Sequence, residues 1–336
     1  MKNAVIFLAV TFIFFPKLQY AQQSLAQYPH SEVSNWGKWG PEDQKGAANY
    51  ITPDVIIEAA QLIKKGKTFS LAIPIDKNGP VWPGRLKPHH TMDIAGADYT
   101  TGINTEPFLG KMKYADDYLY MALQGSTQWD ALSHGWYDDQ LYNGYSEKSI
   151  VSGAFGGATK LGIENVKESL IGRGVLIDVL AYKGGNLSSG YGITREDIEG
   201  ALKQQGTEVK KGDIVILRTG VVPMWYNDPS SRDNYFNPQT GIVKDVVGWI
   251  KENEISAIAA DNIGIERTPN EIDPKTVSPL HGNILRDLGV YIGEIWWLEE
   301  LAEDCAEDGV YEFFLAGQPL NIPGAVGSPI NPIAIK

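Results

Sequence analysis

Short apolar runs alternate with helical segments along most of this chain. The apolar runs have the length of strands and lie at Tyr118–Leu123, Val175–Leu180, Ile214–Leu217, Ala257–Ala260 and Val290–Ile292. Continuous rather than alternating apolar character is typical of strands that are buried on both faces. The pattern therefore predicts an α/β domain built on a largely buried sheet.

Three helices carry recognisable start and stop signals. The first begins at the N-cap Thr52, with proline at its first position, and is expected to end by Gly66. The second begins at a capping box on Thr194 and ends at Gly206. A third is predicted over about residues 240–251. No composition shift marks a domain boundary, so residues 22–336 are predicted to form one domain.

Two polar stretches are predicted to lack regular structure. Residues 227–234 combine Asn, Asp, Pro and Ser and are expected to form an exposed loop. The tail from Gln318 onwards is rich in Pro, Gly and Asn and predicts an extended arm, across this chain's surface or that of a neighbouring subunit.

The N-terminus has the pattern of an export signal. Lys2 precedes an apolar run over Ala4–Phe15, which is shorter than the roughly 20 residues of a membrane-spanning helix. We interpret residues 1–21 as a signal peptide cleaved near Ala21, with an uncleaved anchor as the alternative. The mature protein is then expected to be periplasmic or secreted and, since no later run reaches membrane length, not to span a membrane.

Charge and cysteine content exclude several classes of protein. The chain has 29 basic and 41 acidic residues, a net charge of -12, and no cluster of Lys or Arg. A nucleic-acid partner is therefore not expected. The single cysteine, Cys305, rules out an internal disulfide framework. A small-molecule substrate is the expected partner.

One segment, Gln124–His134, concentrates polar side chains directly after a predicted strand. With five histidines in the whole chain, a histidine-based site has few places to form. Loops at strand ends commonly carry chemistry in α/β proteins. The alternative is a polar turn in which Asp130 caps a helix and His134 lies on the surface.

Three further side chains are candidates for chemistry. His281 begins a short predicted helix, Gly282–Leu288, and Glu294 follows the strand after it, so the two are expected to meet if helix and strand pack together. Asp261 ends an apolar run, where a carboxylate is costly unless it is paired or binds a metal. A capping histidine, a solvated glutamate and a structural ion pair are the alternatives.

The polar segment resembles the motif His-x-Gly-Thr-His-x-Asp-x-Pro-x-His. This motif is the hallmark of the cyclase family that includes kynurenine formamidase and isatin hydrolase. Thr127, Asp130 and His134 match it without gaps, whereas Gln124 and Gln128 stand where the family has its first two histidines. Segments with the family's character also occur elsewhere along nearly all of the predicted mature chain.

The resemblance implies an α/β fold with a mixed, barrel-like β-sheet and outer helices. It also implies a homo-oligomer, a dimer or tetramer, with sites near subunit contacts. In metal-bearing relatives the two histidines and the aspartate bind a divalent cation and the last histidine is the acid–base group. Carried over, Asp130 is a ligand and His134 the acid–base residue, while His281 and Glu294 complete a second metal position.

The two glutamines change the expected metal chemistry. Their amides at Gln124 and Gln128 offer carbonyl oxygens, which suit manganese, magnesium or calcium better than zinc. Three possibilities follow: a site for such a hard ion, a metal displaced toward Asp130, His281 and Glu294, or no metal. The expectation is one divalent ion, manganese, zinc or magnesium.

The leading functional hypothesis is hydrolysis of a small amide, lactone or other cyclic carbonyl compound, as in arylformamidases and isatin hydrolases. A bound metal would polarise the carbonyl and His134 would transfer the proton. Trp129 and Trp136 are candidate walls of a substrate pocket, with packing in the core or at an interface as the alternative. Asp261 is a further candidate substrate contact.

Two other hypotheses remain open. In a metal-independent lyase or isomerase, Gln124, Gln128 and Thr127 would donate hydrogen bonds to a carbonyl oxygen. In the other, the chain is an exported small-molecule binding protein that has kept the fold and lost the chemistry.

Overall fold

The computed structural model describes residues 33–102, 110–153 and 156–336. The predicted signal peptide, residues 1–21, lies outside them. Within these ranges no helix is long and apolar enough to cross a membrane. The strands are β1 (Thr68–Ser70), β2 (His89–Ile94), β3 (Asp116–Tyr120), β4 (Gln128–Asp130), β5 (Ile150–Val151), β6 (Gly157–Ala158), β7 (Ile171–Asp178), β8 (Gly192–Ile193), β9 (Ile214–Arg218), β10 (Gly241–Ile242), β11 (Ala257–Ala260), β12 (Tyr291–Glu294), β13 (Glu312–Ala316), β14 (Gly327–Pro329) and β15 (Ile333–Ile335).

The helices are mostly short. They are α1 (Pro53–Ala60), α2 (Gly96–Thr100), α3 (Val179–Tyr182), α4 (Arg195–Gln205), α5 (Val221–Asn227), α6 (Asp245–Glu252), α7 (Pro279–His281) and α8 (Glu299–Asp308). Helix α7 continues directly into a π-helical turn over Gly282–Asp287.

One mixed sheet of nine strands organises the molecule, in the order β1-β15-β13-β7-β9-β11-β12-β4-β14. Its centre, from β7 through β9 and β11 to β12, is parallel, and the outer pairs are antiparallel. Strand β11 has the predicted bounds, and β9 extends the predicted run by one residue. The α/β expectation is confirmed.

The connection between β14 and β15 forces this sheet to curl. The two strands lie seven positions apart in the sheet order, which in a flat sheet is about 34 Å at ~4.8 Å per strand. Only residues 330–332 join them, and such a link spans at most about 14 Å. The sheet therefore bends into a half-barrel. Leu71 N donates to Pro332 O at 2.8 Å, which extends the pairing of β1 with β15 by one residue.

The C-terminal tail is thus part of this chain's own sheet. The predicted arm across its own surface or a neighbouring subunit was wrong, because β14 pairs with β4 and β15 pairs with β1 and β13. Sequence reasoning missed these strands because each is only three residues long, and a proline lies within β14 (Pro329) and directly before β15 (Pro332).

The ends of the helices were predicted best where the capping signals in the sequence are strong. Helix α4 has the predicted Thr194 capping box and ends at Gly206 in the left-handed conformation. Helix α1 starts at the predicted N-cap, Thr52, but ends at Ala60, well before Gly66. Helix α6 starts later than predicted because the residues before it form β10, which pairs with β8.

Two segments differ from their predicted conformation. The apolar run Tyr118–Leu123 corresponds to β3, which ends at Tyr120 and pairs with β2 in an exposed two-stranded ribbon outside the main sheet. The predicted loop at 227–234 is ordered as the end of α5 followed by a 3-10 turn over Pro229–Asn234.

Gly293, in the middle of β12, is required by close packing. A Cβ there would lie 2.6 Å from Ala259 Cβ and 2.7 Å from the Trp129 ring. We expect Gly293→Ala to destabilise the fold by about 1–3 kcal/mol through overpacking, measured by denaturant unfolding. Gly248→Ala is the control, because a Cβ at that helical position meets only Glu252 at 4.0 Å; equal losses in both variants would contradict the packing argument.

The buried ammonium of Lys336 joins β15 to α8. It lies 2.8 Å from an Asp308 oxygen and 3.0 Å from an Asp304 oxygen. Burial opposes ionisation of both aspartates, but hydrogen bonds, chiefly from Lys336 to Asp308 and from Lys67 to Asp304, hold each pKa below its usual value.

These lowered pKa values predict a pH dependence of stability. Each contributes stability that is present above the ordinary aspartate pKa of about 3.9 and is lost as the pH falls below it. We therefore expect Lys336→Met to lower the melting temperature more at pH 7 than at pH 3, measured by calorimetry. An equal decrease of the melting temperature at both pH values would show that the substitution removes packing contacts but no charge interaction.

Candidate functional site

The register of β4 against β12 brings polar side chains together. Gln128 lies opposite Glu294, and Asp130 lies two residues further along β4. Since alternate residues of a strand share a face and opposed residues do too, all three side chains project from one face of the sheet. Nε2 of Gln128 is 2.9 Å from Glu294 Oε2 and 3.4 Å from Asp130 Oδ1.

The same alternation turns Trp129 away from this face. Its indole is fully buried in the core, donates to Gly317 O at 2.6 Å and packs edge-on against Trp296 at 5.0 Å. The expectation that Trp129 lines a substrate pocket is therefore corrected, because Gln128 and Asp130 point to the site and the residue between them must point elsewhere.

His281 is aimed at this cluster by Glu266. A Glu266 oxygen lies 2.8 Å from His281 Nδ1, and the same carboxylate accepts the backbone N–H groups of Leu280 and His281. The opposite ring nitrogen, Nε2, lies 3.2 Å from Glu294 Oε1 and 3.9 Å from Asp130 Oδ2. Sequence reasoning assigned Glu266 no role in the site.

His134 stands beside Asp130 at the edge of the cluster. Its Nε2 is 3.8 Å from Asp130 Oδ1, and its side chain is 21% exposed, so solvent reaches it. Burial, assisted by the positive charge of His281, lowers the pKa of His134 to about 4. The imidazole is therefore neutral near pH 7 and able to accept a proton.

Three buried carboxyl groups, of Asp130, Glu266 and Glu294, surround His281. Burial and the nearby Glu294 raise the pKa of Asp130 well above its usual value. Burial also opposes ionisation of Glu294, but the hydrogen bond from His281 outweighs it and lowers the Glu294 pKa. Hydrogen bonds from His281 to Glu266 and Glu294 outweigh the effect of burial and raise the His281 pKa to about 10. The positive charge of Arg85 also favours the ionised forms of Asp130 and Glu294, and a bound cation would favour them further.

A divalent cation fits the residues present. Asp130, His281 and Glu294 each offer a ligand atom, and these atoms lie within 4.8 Å of one another. Asp130 Oδ2 is buried without a hydrogen-bond partner among the described protein atoms. Histidine ligands commonly hydrogen-bond a carboxylate through their second ring nitrogen, as His281 does with Glu266.

The two motif glutamines lie on the same face. Gly327 is the strand partner of Asp130, so a Cβ added to it would project from the same face as the Asp130 side chain. That Cβ would lie 2.5 Å from Gln124 Nε2, which places the Gln124 amide on this face. Nε2 of Gln124 and Oε1 of Gln128 are both buried without partners among the described protein atoms. Rotating the Gln128 amide by half a turn would direct its carbonyl oxygen toward the carboxylates, the arrangement a bound cation would favour.

Two predicted site residues have structural contacts instead. The Thr127 hydroxyl donates to Ile295 O and accepts from Ile73 N, so both its roles are taken by backbone groups. Asp261 accepts from the hydroxyl and the backbone N–H of Thr219 and from Gly220 N, which fixes the turn after β9. The structure corrects two predictions: the catalytic role of Thr127 and the contact of Asp261 with the substrate.

Backbone strain flanks the site's carboxylates. Ile295, directly after Glu294, has φ +61°, and Ile265, directly before Glu266, has φ +54°. A β-branched residue seldom adopts this left-handed region, and such strained positions cluster at functional sites. The surrounding packing thus holds the carboxylates of Glu294 and Glu266 in fixed orientations.

An open cleft of about 170 Å³ leads to the cluster. His134, His281 and Glu294 lie at its base, and Trp82 and Arg85 are on its wall. A second cavity, of about 240 Å³, shares His134 and His281 and includes Trp136. The indole of Trp136 is 38% exposed and donates to Glu147 Oε2, so it lies at the rim. Trp82 and Arg85 come from a loop in which sequence reasoning found no motif.

Two comparisons identify the family. The family model described as "Putative cyclase" matches residues 69–267, more than half of the chain. A solved structure described as a novel cyclase is 62% identical, covers 91% of this chain and 100% of its own, and superposes with a TM-score of 0.85. The chain belongs to the cyclase family. The resemblance seen in the sequence is confirmed, and so is the expected fold.

More distant solved structures share the fold. Isatin hydrolase A from Labrenzia aggregata is 18% identical with a TM-score of 0.55, covering 80% of this chain and 93% of its own. Isatin hydrolase A from Ralstonia solanacearum is 15% identical with a TM-score of 0.56, covering 80% and 92%. A search of curated proteins returned no match.

Proposed function

We propose that this cyclase-family protein hydrolyses a small amide, lactone or cyclic carbonyl compound with the help of a divalent cation. The observation that supports this most strongly is the convergence of Asp130, His281 and Glu294 beside a neutral His134 at the base of an open cleft. These groups come from distant parts of the chain and meet where a small molecule can reach them.

Each residue of the site has a separate role in the proposed reaction. Asp130, His281 and Glu294 would hold the cation, which when bound supplies Lewis acidity toward a carbonyl oxygen and lowers the pKa of bound water. His134, neutral near pH 7, takes the proton from the attacking water and returns it to the leaving group. Glu266 keeps the His281 ring in the orientation that directs Nε2 to the cluster.

The metal-independent alternative has less support. It required Thr127 to donate to a substrate carbonyl, and that hydroxyl already donates to Ile295 O. Gln128 is also engaged, since its Nε2 donates to Glu294. A binding protein without chemistry would have no need for a histidine of lowered pKa next to a carboxylate cluster.

A direct activity test addresses the proposal. We expect the metal-stripped protein to hydrolyse formamides, isatin-like lactams or lactones only after manganese, zinc or magnesium is restored. Full activity after exhaustive chelation would favour the metal-independent enzyme. Binding of these compounds without turnover under any cation would overturn the hydrolase and favour the binding protein.

We further propose that the protein is an exported homo-oligomer, a dimer or tetramer. The β2–β3 ribbon supports the oligomer. Its side chains Tyr118, Leu119 and Tyr120 are each at least half exposed on a two-stranded element. Such a ribbon is marginally stable alone, and another subunit would bury these side chains. Light scattering should show a defined oligomer that Leu119→Lys with Tyr120→Lys weakens; a monomeric parent protein would contradict this.

A further inference from the structure

The wall of the cleft contains a cation that the proposed hydrolysis does not use. Arg85 lines the cleft together with Trp82, His134, His281 and Glu294. Its loop is held in place by a hydrogen bond from Arg85 N to Trp82 O at 3.0 Å. This bond fixes the backbone turn that carries the Arg85 side chain.

Among the described residues, the Arg85 guanidinium uses only a small part of its hydrogen-bonding capacity. Nη1 donates to the backbone oxygen of Gln124 at 3.0 Å, which anchors one arm. No carboxylate of the described residues lies within salt-bridge distance of Arg85. A guanidinium carries five N–H donors in a planar fork that matches a carboxylate. Arg85 is thus oriented by one contact and has donors left for a ligand.

The rest of the cleft lining is mostly apolar. Trp82 stands edge-on to Phe236 at 5.4 Å, and Ile263, Gly264 and Val277 line the cleft together with one hydroxyl residue, Ser278. A protein cavity of about 150 Å³ holds one benzene ring, so the cleft of about 170 Å³ has room for a single ring with a small substituent.

We infer that Arg85 binds a carboxylate group on a small aromatic ligand and so determines which compounds the cleft accepts. This deepens the proposed function and rests on it for the reaction. The carboxylate has one of two sources: either the substrate carries it from the start, or hydrolysis of the scissile bond generates it. A charged, bidentate contact of this kind is stronger than a neutral hydrogen bond.

Binding measurements test the inference without turnover. Calorimetric titration of the metal-loaded protein with benzoate and with the isosteric benzamide should show benzoate binding at least about tenfold tighter, since hydrogen bonds to charged groups are the stronger ones. Arg85→Gln should abolish this preference, and Arg85→Lys should keep part of it. Lys87→Gln is the matched control, because Lys87 is an exposed cation of the same loop outside the cleft lining.

Kinetics with a substrate pair distinguish the two sources. If the substrate carries the carboxylate, N-formyl-2-aminobenzoate has a lower KM than N-formylaniline, and Arg85→Gln removes the difference while kcat changes less. If only the product carries it, the KM values agree and benzoate inhibits the parent but not Arg85→Gln. Both results support the inference.

Two results would overturn it. The first is equal binding of benzoate and benzamide to the parent protein. The second is a preference for benzoate that persists in the Arg85→Gln variant, provided that the melting temperature of this variant equals that of the parent. A protein that binds benzoate through Arg85 but hydrolyses no compound would leave this inference standing and overturn the proposed reaction, so the two failures are distinguishable.

Discussion

His134→Gln is expected to lower kcat/KM by about 10²–10⁴-fold, the range over which positioned acid–base groups contribute. Glutamine has a similar reach and polarity but accepts no proton near neutral pH. His134 Nε2 lies 3.8 Å from Asp130 Oδ1, and His134 lines the cleft in which we propose that the substrate binds. Steady-state kinetics on the substrate found in the activity screen measures the loss.

The control for this variant is Lys64→Gln. Lys64 is exposed and lies outside both the cleft lining and the β2–β3 ribbon, so its loss should leave kcat/KM within about twofold of the parent. Cation binding by His134→Gln should also stay near the parent value, because His134 is outside the predicted ligand set. Activity of His134→Gln close to that of the parent would show that another group transfers the proton.

Glu266→Gln is expected to weaken cation binding by about 10–100-fold, the usual cost of losing the partner that orients a histidine ligand. The carboxylate accepts from His281 Nδ1 and from two backbone N–H groups, and an amide would place its NH₂ against one of these donors. Calorimetric titration of the metal-free variant with manganese, zinc or magnesium measures the change in affinity.

Glu271→Gln provides the matched comparison. This glutamate lies five residues further along the same loop, is more exposed and accepts from Lys244 N rather than from a site residue. We expect it to bind the cation as the parent does. If Glu266→Gln folds normally and binds the cation as tightly as Glu271→Gln, then His281 is not a ligand or does not depend on Glu266 for its orientation.

Much of the fold follows from local sequence signals. The central parallel strands are continuous apolar runs, and the caps at Thr52 and Thr194 mark helix starts that the structure contains. The short strands β14 and β15 could not be predicted this way, because β4 lies about 200 residues before β14 and β1 lies about 265 residues before β15. Their position depends on closure of the curled sheet, which no local pattern encodes.

The candidate site was predictable only in part. Family resemblance pointed to Asp130, His134, His281 and Glu294, which the structure brings together. The position of Trp129 could have been predicted from strand alternation, had the motif been treated as a strand rather than as a loop after one. The contact of Glu266 with His281 joins a loop to a helix start and has no sequence signature.

Arg85 and Trp82 show a further limit of sequence reasoning. Both come from a loop far from the motif in the chain, and their approach to the cluster depends on how that loop packs against Gln124 and Phe236. Neither residue type is unusual in a loop, so only the folded structure assigns them to the cleft.

Anomalous diffraction at the absorption edge of manganese or zinc tests the central claim most directly. Crystals of the cation-loaded protein should show one strong anomalous peak bounded by Asp130, His281 and Glu294, and the peak should disappear in Asp130→Asn. A protein that hydrolyses its substrate yet shows no peak among these three side chains would contradict the account.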